Sequence, residues 1–139
     1  MNIGKKNPVF ILDGAHNPGA LKSVTGEFAR LTGGSGTIIF GLKKTKDAEG
    51  IIRHLLNSAR RIIFTRVPDV ECYDPCELKS LAETHSDASR LSQIRLDCVE
   101  TIPEAIGRVI AELGEGDTVL VTGSLYLAGA ARGELSLFY

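Results

Sequence analysis

Short β-rich apolar runs alternate along the chain with longer stretches whose apolar residues recur every three or four positions, which predicts alternating strands and helices. Residues 8–12, 36–42, 61–67, 94–99 and 118–122 are the strand candidates, and most are unbroken apolar runs of the kind buried on both faces of a parallel sheet. Between them, Leu21, Val24, Phe28 and Leu31 form one helical stripe. Ile51, Ile52, Leu55 and Leu56 form a second, and Ala105, Ile106, Val109, Ile110 and Leu113 a third. A shorter helix is expected at 77–84, a polar surface loop at 85–93, and a sixth, edge strand of open direction at 135–139.

The boundaries agree with this reading. Asn17-Pro18 and Thr101-Ile102-Pro103-Glu104 are helix starts, a capping side chain followed by proline or by the Glu of a capping box. Gly33-Gly34 and Gly114-Glu115-Gly116 lie just beyond the first and third stripes, where a helix stops and the chain turns back. The expected fold is α/β: a doubly wound, mostly parallel sheet of five or six strands with helices on both faces, in one domain covering residues 1–139. In such sheets ligands sit outside the carboxyl ends of the strands.

Composition changes the picture little. Hydrophobic residues at 43% and charged residues at 24% describe a folded globular chain, and a net charge of −1 spread over interspersed residues offers no basic face for nucleic acid or anionic lipid. Neither nucleic acid nor membrane is an expected partner. No apolar run approaches the roughly 20 residues of a membrane span, and the amino terminus lacks the apolar segment of a secretory leader. Cys72, Cys76 and Cys98 are odd in number and read as free thiols, which points to the cytoplasm. No second Cys/His pair stands at ligand spacing from Cys72 and Cys76, so zinc is not expected.

The densest polar cluster is Asp13-Gly14-Ala15-His16-Asn17-Pro18, between the first strand and the first helix. A strand-to-helix turn there aims backbone N–H groups at an anion, while a carboxylate at the strand end can accept from a ribose hydroxyl. The same residues could equally be structural, with Asn17 as cap and Gly14 as turn residue; spacing leaves both readings open. Two further loops fall at strand carboxyl ends, Gly41-Leu42-Lys43-Lys44-Thr45-Lys46-Asp47 and Thr122-Gly123-Ser124-Leu125-Tyr126. Their lysines read either as carboxylate or phosphate partners or as a solvated surface, and Ser124 as an N-cap or an anion donor. The chain has no Gly-x-x-x-x-Gly-Lys-Ser/Thr loop, so it carries no motif for holding a triphosphate and Mg²⁺ by itself.

Taken together, the string from Val9 to Pro18 resembles the opening of the carboxy-terminal domain of folylpolyglutamate synthases and bifunctional dihydrofolate synthases, within the Mur ligase superfamily. Phe40-Gly41-Leu42 with Lys46-Asp47, and Val121-Thr122-Gly123-Ser124-Leu125-Tyr126-Leu127, resemble two later motifs of that family in the same order. The resemblance implies an ATP-dependent ligase in which a folate γ-carboxyl, or dihydropteroate, is activated as an acyl phosphate and attacked by the amine of L-glutamate. It implies that an amino-terminal P-loop ATPase domain of the same polypeptide supplies the Mg²⁺ ligands. It places Asp13, His16 and Asn17 on the nucleotide, and a remoter resemblance to the third domain of the cell-wall amide ligases places Lys46 and Ser124 on glutamate. Catalysis by this chain alone, and tight binding of ATP and Mg²⁺ by it alone, are not expected.

The alternative is a freestanding nucleotide-binding α/β module without catalysis. A signalling receiver of similar shape would need an acidic site after the third strand and a Lys after the fifth. The sequence has Phe64-Thr65-Arg66 and Thr122-Gly123-Ser124 there.

Overall fold

A computed structural model describes residues 7–44 and 47–139. Its three most apolar strand candidates, β2 (Thr37–Phe40), β3 (Arg61–Phe64) and β5 (Thr118–Thr122), form the centre of a five-stranded sheet and are buried along almost their whole length. The edges are β1 (Val9–Leu12) and β4 (Arg95–Cys98), which are only part-buried. The order is β1-β5-β2-β3-β4 and every pairing is parallel. Polar Arg95 and Asp97 are tolerated in β4 because an edge strand has one side open to water.

The connecting helices divide between the two faces. On one lie α1 (Pro18–Thr32), α2 (Ala48–Leu56) and α3 (Pro75–Thr84), burying Leu21, Phe28, Ile51, Ile52, Leu55 and Leu78 against Ile38, Phe40, Ile62, Phe64 and Leu120. On the other lie α5 (Ile102–Glu112) and α6 (Leu125–Leu135), packing Ile106, Val109, Leu127 and Ala131 on Ile39, Ile63, Val119 and Val121. The alternation of Ile38 and Ile39, or Ile62 and Ile63, between the faces follows from the two-residue period of a strand. Each fully buried side chain of this size contributes about 1.5–3 kcal/mol of burial.

The expected caps are in place. Asn17 Oδ1 accepts from the Ala20 amide, Thr101 Oγ1 from Glu104, and α1 ends on Gly33 at φ 66°. Cys72, Cys76 and Cys98 are all free. No helix of the described residues is long and apolar enough to cross a membrane.

Three expectations are corrected. Residues 135–139 add no strand: α6 runs on to Leu135, and the tail covers β1 with side chains, Tyr139 stacking edge-on against Phe10 and donating its hydroxyl to the Pro8 carbonyl. The polar stretch 85–93 contains a helical turn, α4 (Ala88–Leu91), because Asp87 caps it and the Arg90 guanidinium donates to the Leu56 and Ala59 carbonyls. Leu31 is 68% exposed, and Thr25, its hydroxyl bonded back to the Leu21 carbonyl, occupies the buried stripe of α1.

Candidate functional site

Strand order fixes where the helices part. Adjacent β1 and β5 lead into helices on opposite faces, as do adjacent β5 and β2, so the carboxyl end of β5 opens on a crevice flanked by three loops.

The first loop grows out of β1. The Asp13 amide donates to the Val121 carbonyl, extending the β1–β5 ladder by one residue. Its half-buried side chain turns back, Oδ1 accepting from the Ala15 amide at 2.8 Å, while Oδ2 has no hydrogen-bond partner among the described residues. His16 is exposed, its Nδ1 2.9 Å from the Gly14 carbonyl. That contact orients the ring.

The second loop, after β5, requires glycine. Gly123 has φ 111°, and a Cβ there would sit 2.1 Å from the Gly41 carbonyl oxygen. The Gly123 amide donates to the Ala15 carbonyl, tying this loop to the first. Ser124 is buried as the N-cap of α6, its Oγ accepting from the Tyr126 and Leu127 amides. The hydroxyl hydrogen is still available for a donor role.

The third loop, after β2, is held by the segment that follows β3. Lys43 bridges Cys72, the Lys44 amide donates to the Glu71 carbonyl, and the Tyr73 amide donates to Leu42. Lys44 is spent locally, its Nζ 3.0 Å from Glu77 and 4.5 Å above the Tyr73 ring. Glu77 raises the pKa of Lys44 through that hydrogen bond. Lys43 has no carboxylate partner among the described residues and lines the crevice.

His16, Lys43, Gly123, Ser124, Leu125 and Tyr126 enclose a cleft of about 170 Å³. It suits one carboxylate or phosphate group and is too small for a whole nucleotide, whose pockets run to about 300 Å³ or more. Leu125 and Tyr126 stand on its rim, 68% and 58% exposed. The donors are cationic or N–H and O–H in character, which fits an anion. Among the described residues no three His, Cys, Asp or Glu side chains stand together as metal ligands.

Of the residues singled out in the sequence, His16 and Ser124 meet in this cleft, and Asp13 and Asn17 lie on the loop beside it. Asn17 serves as the α1 cap with its Oδ1. Lys46 lies outside the described residues. Lys43 is the residue that sequence reasoning did not separate from its neighbours; what distinguishes it is that Lys44 already has Glu77. A larger hollow of about 540 Å³ lies at the opposite, amino ends of β2, β3 and β4. There the Arg61 guanidinium, only 7% exposed, pairs with Asp97 and Glu112, so its charge is already neutralised within the fold.

Residues 1–125 match the model of the Mur ligase, glutamate ligase domain. The chain belongs to that family. It is 32% identical over 126 residues to a probable bifunctional folylpolyglutamate synthase/dihydropteroate synthase of Halobacterium salinarum, covering 91% of this chain and 15% of that protein. A folylpolyglutamate synthase structure from Thermotoga maritima superposes with a TM-score of 0.72 at 32% identity, over 95% of this chain and 28% of that one. The bifunctional folylpolyglutamate synthase/dihydrofolate synthase from Yersinia pestis, complexed with AMPPNP and Mn ion, shares the fold at a TM-score of 0.73 and 20% identity, over 96% of this chain and 30% of that one. This glutamate ligase domain thus spans between 15% and 30% of the length of these relatives.

Proposed function

We propose that this domain works as the carboxy-terminal part of an ATP-dependent ligase that joins L-glutamate to the γ-carboxyl of a (tetrahydro)folate, or to dihydropteroate, through an acyl phosphate. The observation that carries the reading is the convergence of His16, Lys43 and Ser124, from the carboxyl ends of three strands, on one cleft sized for an anionic group. The family match and the folylpolyglutamate synthase relatives support glutamate as that anion.

In this reading Asp13 Oδ2 accepts from the nucleotide ribose, and His16 and Asn17 position the nucleotide from the same loop. Ser124, with Lys43 and with Lys46 three positions further along the sequence, holds a glutamate carboxylate. ATP, with Mg²⁺, would supply the phosphoryl group that activates the acceptor carboxyl as an acyl phosphate. Their P-loop and metal ligands come from an ATPase domain of the same polypeptide, as the small volume of the cleft and the 28% and 30% share that this chain covers of the solved relatives support. The domain by itself does not turn over.

The test is steady-state kinetics of the ligase that carries this domain with Asp13→Ala. A hydrogen bond to a charged acceptor is worth about 1.5–3 kcal/mol, so ATP kcat/KM should fall roughly ten- to a hundredfold while folate KM holds. Unchanged ATP kinetics in a folded variant would assign Asp13 to the turn alone.

A further inference from the structure

Two thiols 22 positions apart in sequence meet at the edge of the sheet. Cys76 is exposed in the first turn of α3, and Cys98, part-buried, ends β4 beneath it. Their sulfurs are 2.7 Å apart, beyond an S–S bond of about 2.05 Å but well inside an ordinary contact between two thiols. Cys72, only four residues before Cys76, takes no part: its Sγ accepts from the Val67 amide at 3.3 Å.

No third ligand completes a metal group around the pair among the described residues, whereas structural zinc takes four. The chemistry left to two apposed thiols is oxidation. We propose that Cys76 and Cys98 form a redox-responsive dithiol that closes to an intramolecular disulfide by exchange with a small-molecule disulfide such as oxidised glutathione.

The step balances. The Cys76 thiolate attacks one sulfur of the glutathione disulfide, forming a mixed disulfide and expelling one glutathione thiolate. Cys98 then loses its proton to solvent and attacks the Cys76 sulfur, closing the protein disulfide and expelling the second glutathione. Two protein thiols are oxidised and one small disulfide is reduced. The order follows from access: Cys76 is at the surface, whereas burial, with the Cys76 contact as the next cause, pushes the Cys98 thiol up to about 11. The bond ties α3, whose Glu77 holds Lys44, to the last strand of the sheet.

The full chain is equilibrated in glutathione buffers of rising oxidised fraction, quenched with an alkylating reagent and mapped by mass spectrometry without reduction. The expected product is a monomer with a peptide linking Cys76 to Cys98, Cys72 alkylated, and full reversal by dithiothreitol. Cys72→Ser should cross-link like the wild type. Cys98→Ser should stop at glutathione on Cys76, with roughly tenfold or more of that adduct than the wild type retains. Folded wild-type protein whose Cys76 and Cys98 stay alkylated, keep separate glutathione adducts, or pair with Cys72 overturns the proposal. Should Cys98→Ser fail to fold, the wild-type and Cys72→Ser maps decide on the same criteria.

Discussion

The amide of Gly123 donates to the carbonyl of Ala15 across 3.0 Å, so the turn after β5 and the turn after β1 are one hydrogen-bonded unit. The crevice is therefore built into the sheet and does not await a ligand to form. Whatever loosens this unit should be felt both in stability and in the placement of His16 and Ser124.

Gly123→Ala tests the unit directly. Its φ of 111° costs an L-residue about 1–3 kcal/mol, and the new Cβ would also meet the Gly41 carbonyl oxygen, which is backbone and cannot step aside. Gly14→Ala should be milder, because its Cβ meets the end of the Leu125 side chain, which is 68% exposed and can rotate at a cost of about 0.5–1.5 kcal/mol. Urea unfolding of the two variants should rank Gly123→Ala as clearly the less stable; equal losses would contradict the geometry.

Lys43 and Lys44 are adjacent but should behave differently. In the ligase that carries this domain, Lys43→Ala should raise the glutamate KM roughly ten- to a hundredfold, the worth of one charge-assisted contact of about 1.5–3 kcal/mol. Lys44→Ala removes a half-exposed, solvent-screened pair with Glu77 and should leave glutamate KM within about twofold. Kinetics in which Lys44→Ala carries the larger effect would move the site.

At the other end of the sheet, Arg61→Ala removes the most buried cation of a four-residue network and leaves part-buried Asp97 to the exposed Arg95 guanidinium, 3.1 Å away. Breaking a buried pair so that one charge is left alone costs about 3–5 kcal/mol. Because Arg95 still holds Asp97 and Glu112 is 41% exposed, the expected loss is smaller, about 1–3 kcal/mol. Thermal unfolding should show that loss, and the surviving folded enzyme should keep its glutamate and ATP KM values, since Arg61 starts β3 and the crevice lies beyond the other strand ends. A raised glutamate KM would instead tie the larger hollow to substrate.

Local rules carried the sequence reading a long way. The buried strands announce themselves as apolar runs, and Asn17, Thr101 and Ser124 cap helices because a capping side chain needs only the next three residues to act. What was hidden depends on partners far away in sequence. The run Leu135 to Tyr139 is apolar enough for a strand, yet its helical start and its cover over Phe10 are set by tertiary packing. Arg90 orders 85–93 through carbonyls more than thirty residues earlier. Lys43 could be told from Lys44 only once Glu77, 33 positions on, had claimed the latter. Asp13, His16 and Ser124 were each legible as residues at strand carboxyl ends. That β1 lies beside β5, which brings His16 and Ser124 to one cleft, is a matter of strand order that no local pattern prints.

Whether this domain serves glutamate ligation is decided by incorporation of labelled L-glutamate by the polypeptide that carries it. With ATP, Mg²⁺ and a reduced folate or dihydropteroate, the account predicts a labelled amide product formed together with ADP and phosphate. It also predicts that the product falls away when ATP is omitted, when Lys43→Ala is introduced at limiting glutamate, or when residues 1–139 are assayed alone. Nucleotide binding by the wild-type polypeptide with no glutamate incorporated under any of these substrates would contradict it and favour a binding module without catalysis.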